Sequence, residues 1–132
     1  MLSALKLASE QAFKMAKIDP KDVDAAELHD AFTILEIAES EAAGFFKKGE
    51  GHKALEEGKT QIGGDLPINP SGGLKARGHP IGARGVAQAV EIAWQLRGEA
   101  KGRQVEGAEI GFSCNFGGFG TNVLAFVYKR GD

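Results

Sequence analysis

Three short segments of this 132-residue chain each carry one side chain able to move a proton or form a covalent bond. They are His29 in His29-Asp30-Ala31-Phe32, His79 in Gly78-His79-Pro80-Ile81-Gly82, and Cys114 at the head of Cys114-Asn115-Phe116-Gly117-Gly118-Phe119-Gly120. An imidazole titrates near neutral pH and can take a proton from a thiol. A thiol can act as nucleophile, or as acid and base. Three glycines follow Cys114 within six residues, and the backbone amides of such a run can converge on a developing oxyanion.

Each residue also has a plainer reading. His79 sits between Gly78 and Pro80, which restrict its backbone and leave its ring reachable; a loop histidine that merely caps or packs would look the same. A lone Cys114 behind a strand is also what a small buried hydrophobe looks like. His29 reads equally as a core histidine with satisfied hydrogen bonds, and His52, beside Lys53 in a polar stretch, as a solvent-exposed one. No pair of these groups has close metal-ligand spacing, so no metal is expected. Gly72-Gly73-Leu74-Lys75-Ala76-Arg77-Gly78 lacks the Gly-x-x-x-x-Gly-Lys-Ser/Thr order of a phosphate loop. Lys75 and Arg77 can meet a phosphate or an acidic partner, or serve as surface charges.

The elements that must hold these segments follow from periodicity and breakers. Residues 3–16 repeat apolar residues at helical intervals, and Asp19-Pro20 stops them. Residues 23–29 are apolar enough for a strand. Asp30 is placed to cap a helix over 31–46, with Ile34, Leu35, Ala38, Ala42 and Phe45 in its apolar repeat. Gly49-Glu50-Gly51 breaks it, and 52–57 gives one or two further turns. Residues 62–69 are irregular, ending in a short strand before Pro70, and 71–82 is loop by composition. A helix over 83–96 carries Val86, Ala89, Val90, Ala93 and Leu96 on one face, and Gly98 ends it. Residues 108–114 and 122–128 read as strands joined by a glycine-rich turn. The order predicts an α/β layered domain whose closing strand pair is antiparallel. Ligand sites in such sheets gather at carboxyl ends of strands, where two of the three reactive segments fall.

Bulk properties bound the rest. The length suits one domain with a core, and 42% hydrophobic with 26% charged residues is an ordinary globular composition. A net charge of -2 gives no electrostatic reason for a nucleic-acid or membrane partner. No apolar run reaches the ~20 residues that span a bilayer, and residues 1–7 show no secretory pattern. One cysteine excludes an internal disulfide and suits a reducing cytoplasm. The glycines, 19 in all, cluster over 63–85 and 111–120, as where backbone approaches a ligand or another backbone.

Taken together and in order, the three segments resemble the thiolase superfamily. Asn69-Pro70-Ser71-Gly72-Gly73-Leu74-Lys75-Ala76-Arg77-Gly78-His79-Pro80-Ile81-Gly82-Ala83 is similar almost residue for residue to the family's histidine loop. His29-Asp30-Ala31-Phe32 is similar to its Asn-Glu-Ala-Phe block, in the form of the branch holding archaeal acetyl-CoA acetyltransferases and sterol-carrier-protein thiolases. Cys114 to Gly120 resembles its terminal Cys-x-Gly-Gly-Gly-x-Gly block. The resemblance covers nearly the whole chain, 1–132, as a thiolase-like carboxy-terminal domain with a mixed sheet between helix layers.

The resemblance implies acyl transfer by Claisen condensation or thiolysis of coenzyme A thioesters, with no cofactor beyond that substrate. His79 matches the histidine that activates the nucleophilic cysteine. Cys114 matches the acid/base cysteine. His29 stands where most thiolases have the asparagine that holds an oxyanion-hole water. Phe116, Gly117 and Gly118, with Ser71, Gly72 and Gly73 of the histidine loop, fall where substrate is bound.

Departures are also legible. Phe116 replaces the family's first glycine after the cysteine, and a phenylalanine adopts positive φ only at a cost. Many members of the branch have histidine at the place of Cys114. Arg84 stands where threonine or serine is usual. The acyl-accepting cysteine and the sheet's first strand, which lies centrally, belong to sequence before the matched region. A separate amino-terminal half is therefore expected to supply the nucleophile and to complete the sheet, in a homo- or hetero-oligomer, with a zinc-containing OB-fold protein as a further partner of this branch. A non-catalytic acyl-CoA-binding subunit and an aldolase of the same fold are the alternatives.

Overall fold

The computed structural model describes residues 2–131; Met1 and Asp132, the ends of the expected 1–132 domain, lie outside the described residues. Helix α1, Leu2–Ala16, presents Leu5, Ser9 and Phe13 inward at four-residue intervals, the spacing that lines one face. Strand β1, Ala25–Glu27, is followed by α2, Thr33–Ala42, and α3, Gly51–Glu56. A single-turn α4, Gly73–Arg77, precedes α5, Arg84–Arg97, and the chain closes with β2, Ile110–Gly117, and β3, Asn122–Lys129.

The three strands form one mixed sheet in the order β1-β2-β3. β1 runs parallel to β2, Ala25 opposite Gly111, and β2 runs antiparallel to β3, Cys114 opposite Ala125. Ala26 also makes an isolated parallel bridge to Ile68 on the other flank of β1, a single paired residue where a short strand is expected before Pro70.

One face of the sheet packs on α1 and α2. Phe112 stacks on Phe13 with ring centroids 5.3 Å apart and meets Phe45 edge-on at 5.3 Å. Leu5, Leu28, Cys114 and Phe116 share this core. The other face packs on α5 through Ala25, Ile92 and Leu96. A Cβ on Gly111 would lie 2.3 Å from Ile92 Cγ2, so only glycine lets α5 approach β2 so closely.

Several expected boundaries shift. The stretch 71–82 contains the one-turn α4, because Gly72 and Gly73 adopt positive φ of 87° and 66° and start a tight turn. α2 stops at Ala42 rather than Phe46. Asp30 does not cap α2, whose N-cap is Phe32; its carboxylate accepts the Leu74 N–H instead, at 2.7 Å. The apolar face expected of α5 is largely turned outward. Val86 and Val90 are exposed, whereas Arg84, Gln88, Glu91, Ile92, Gln95 and Leu96 are buried. The reason is that α5 lies over strand ends whose carbonyls need donors: Gln88 Nε2 donates to the carbonyls of Leu28 at 3.0 Å and Cys114 at 2.9 Å.

Candidate active site

Buried acids on and after β1 tie down the histidine loop. Glu27 has no exposed surface and accepts from the Ser71 N–H at 3.1 Å, the Ser71 hydroxyl at 2.9 Å and Arg77 Nη1 at 3.1 Å. Burial pushes its pKa up against the lowering effect of those donors. Asn69 Oδ1 accepts the Leu28 N–H at 2.7 Å, and Asn69 Nδ2 donates to Glu36 Oε2 at 3.0 Å. Lys75 reaches Glu36 at 3.1 Å and Asp30 at 3.7 Å. A Cβ on Gly73 would lie 2.2 Å from Asp30 Oδ2, so this backbone must be glycine to rest on the carboxylate. Lys75 and Arg77 therefore answer acids of the same chain.

This knot sets where His79 emerges. Its side chain is exposed, and its ring lies edge-on to that of His29, centroids 5.2 Å apart. His29 in turn meets Phe116 edge-on at 5.3 Å. His29 is only 5% exposed, and its Nδ1 has no hydrogen-bond partner. Burial, helped by Arg84 and His79, lowers its pKa to about 4, so the ring is neutral near pH 7. A neutral imidazole offers one N–H and one lone pair. The reading of His29 as a satisfied core histidine fails on the unpaired nitrogen.

Cys114 lies behind this edge with no exposed surface, among Leu28, Phe112 and Phe116. Its thiol is 3.5 Å from Glu39 Oε2, which also accepts the His29 backbone N–H at 2.7 Å. Burial first, and then the Glu39 carboxylate, raise the thiol's pKa well above its ordinary value. Burial likewise pushes Glu39 up to about 8. The small-buried-hydrophobe reading of Cys114 describes its surroundings, though a hydrogen-bonded acid is not part of a purely apolar niche.

Phe116 stays in the strand, opposite Val123, and is not among the positive-φ residues. The feared backbone cost is absent; Gly118 and Gly120 carry the positive φ of 59° and 82° in the turn. Arg84, unexplained in sequence, donates to the Phe116 carbonyl and, at 3.0 Å, to Asn115 Oδ1. It pins the strand end beside the two histidine rings.

The structure thus brings His79, His29 and Phe116 to one edge, with Cys114 immediately inside it. Gly117 ends β2 opposite Asn122, and Gly118 opens the adjoining turn beside the almost wholly exposed Phe119. Ser71 and Gly73 are engaged within the chain itself. The Ser71 hydroxyl serves Glu27 and accepts from Arg77 and the Gly73 N–H, and Gly73 rests on Asp30. Gly72 supplies the exposed turn between them, where a Cβ would strike Ala76. His52 is exposed, as expected. Among the described residues, no three His, Cys, Asp or Glu side chains are grouped to hold a metal ion, and no helix is long and apolar enough to cross a membrane.

Sequence reasoning missed Glu27, Glu39, Arg84 and Gln88 as parts of the site. A signal existed for Glu39: it shares the four-residue stripe of Leu35 and Ala43, so its acid falls on the buried face of α2. Arg84 and Gln88 carry the same spacing at the start of α5.

The thiolase C-terminal domain-like family matches residues 1–130. The chain is 58% identical over 123 residues to acetyl-CoA acetyltransferase of Methanothermobacter thermautotrophicus, covering 93% of this chain and 32% of that protein. It is 43% identical over 126 residues to sterol carrier protein 2 of Homo sapiens, covering 96% of this chain and 23% of that one. Among solved structures, the Ltp2-ChsH2(DUF35) aldolase superposes with a TM-score of 0.80 at 27% identity, over 96% of this chain and 32% of that one. The chain therefore spans a quarter to a third of the length of these relatives.

Proposed function

We infer that this chain, which belongs to the thiolase C-terminal domain-like family, forms the histidine-bearing half of an acyl-transfer site acting on coenzyme A thioesters. The observation that carries this reading is the convergence of three distant segments: the His29 and His79 rings lie 5.2 Å apart, and Cys114 is tied to the His29 backbone through Glu39. The relatives named acetyl-CoA acetyltransferase support it.

The proposed division of labour follows from exposure. His79, exposed on a loop fixed by Glu27 and Asp30, takes the proton from an attacking thiol. His29, neutral near pH 7, turns a ring N–H to the thioester oxygen or to a water upon it. Cys114 exchanges a proton with the substrate's α-carbon, reached past the His29–Phe116 edge. Cys114 is the only cysteine in these 132 residues, so the acyl-accepting sulfur belongs to an amino-terminal thiolase half. On the family resemblance, that half is proposed as a separate chain in a cytoplasmic homo- or hetero-oligomer, with a zinc-containing OB-fold protein as a further partner.

Replacing His79 by alanine in the complex with such a half should lower kcat for acetoacetyl-CoA thiolysis by about 100- to 10,000-fold. Unchanged turnover would favour a non-catalytic, acyl-CoA-binding subunit. An aldolase is the second reading, favoured by the structural likeness to the Ltp2-ChsH2(DUF35) aldolase. Cleavage of a β-hydroxyacyl thioester without added coenzyme A would select it.

A further inference from the structure

Glu39 is a buried acid for which the proposed reaction has so far no use. It projects from α2 with no exposed surface. Oε2 accepts the His29 N–H at 2.7 Å and lies 3.5 Å from Cys114 Sγ, while Oε1 has no partner. A buried carboxylate is ordinarily met by a cation or several donors; this one has one amide and one thiol. Cys114, for its part, sits in an apolar pocket where a free thiolate is costly.

We propose that Glu39 is the proton partner of Cys114, receiving the thiol's proton as the sulfur takes one from the α-carbon of the acyl-CoA thioester. The inference rests on the acyl-transfer reading above. The substrate C–H bond breaks and a new S–H bond forms, leaving the electron pair on carbon as the enolate of the thioester. The original S–H bond breaks and the Glu39 O–H bond forms. Charge passes from carboxylate to enolate, and a free thiolate need not persist in the pocket. In the cleavage direction the same steps run backward. Glu39 acts through Cys114 and is a positioning residue rather than one that touches substrate.

The charges around it set the pH response. Asp30 and Glu36 face it from the loop and from α2, and Lys75 offsets both. His29 and Cys114 face it from the β1–α2 loop and β2, whereas His79 and Arg84 act on His29 from the far side. Burial, the largest influence, holds Glu39 near 8. Proton abstraction needs its carboxylate, so that step should accelerate as pH rises toward about 8 and then level off.

The test is exchange of acetyl-CoA methyl hydrogens with D2O by the complex of this chain with a thiolase amino-terminal half. Glu39→Gln keeps an acceptor for the His29 N–H but removes the basic oxygen. It should slow exchange about 100-fold or more, shift KM by less than about threefold, and abolish the rise toward pH 8. Glu39→Asp should fall between wild type and Gln and keep the rise. Wild-type rate and pH profile in Glu39→Gln, or an Asp variant slower than Gln, would overturn the relay alone. A wild-type complex with no exchange would overturn the acyl-transfer reading and the relay with it.

Discussion

The two faces of the sheet are closed by different chemistry. Toward α1 and α2 the contacts are mostly hydrocarbon and aromatic, through Leu5, Phe13, Phe45 and Phe112, with Glu39 as the buried acid among them. Toward α5 apolar contacts are confined to Ala25, Ile92, Leu96 and their neighbours. Much of the remainder is amide and guanidinium. Gln88 bridges the Leu28 and Cys114 carbonyls and accepts from Asn115 at 2.8 Å, Arg84 holds the Phe116 carbonyl, and Arg103 and Gln95 meet Glu91. Apolar packing rewards volume and tolerates small shifts. Hydrogen bonds fix positions to tenths of an ångström. The polar face is also the one that fixes the strand end beside the histidine pair, so α5 aims the site while α1 and α2 supply most of the cohesion.

That contrast can be broken first at Phe112. The ring has no exposed surface and touches two other aromatic rings. Phe112→Ala should cost about 3–5 kcal/mol in chemical denaturation. A loss below about 1 kcal/mol would mean that the hydrocarbon face is not the main source of stability.

Gln88→Leu is the matching change on the other face. It keeps the approximate volume but leaves the Leu28 and Cys114 carbonyls and the Asn115 amide without their partner. Each buried group stripped of its bond costs about 1–3 kcal/mol; water can reach half-buried Asn115, so the two carbonyls set an expected loss of at least about 2 kcal/mol. The same variant should impair turnover of the complex beyond its loss of stability. Full activity at temperatures where the variant remains folded would separate α5 from the aiming of the site.

What could be read from sequence tracks this division. α1 was legible because its inward residues are apolar and regularly spaced. The β2–β3 hairpin was legible because two strand-like runs flank a glycine-rich turn. The histidine loop was legible through the resemblance of residues 69–83 to the thiolase loop, since Gly78, His79 and Pro80 alone fit a packing histidine equally well. The facing of α5 was not legible, since periodicity assumes that apolar side chains point inward. Here strand-end carbonyls select glutamine and arginine for the inside, and that demand exists only after the strands have paired. Glu39 was hidden for the same reason: an acid in a helix reads as solvated until Cys114 and the His29 N–H, 75 and 10 residues away, arrive beside it.

The smallest expected effect tests the rotation of α5 itself. Val86 is 66% exposed, although helical periodicity groups it with Val90, Ala93 and buried Leu96. Were that stripe the core face, Val86→Lys would bury an ammonium without a partner and cost several kcal/mol. With the side chain outside, the change removes little packing, and lysine has a slightly better helix propensity than β-branched valine. The denaturation midpoint of the chain should therefore move by less than the equivalent of about 0.5 kcal/mol. A destabilisation above about 1 kcal/mol would require α5 to be turned about its axis. Gln88 would then leave the carbonyls of β1 and β2, and the polar face would lose the contacts that distinguish it from the other.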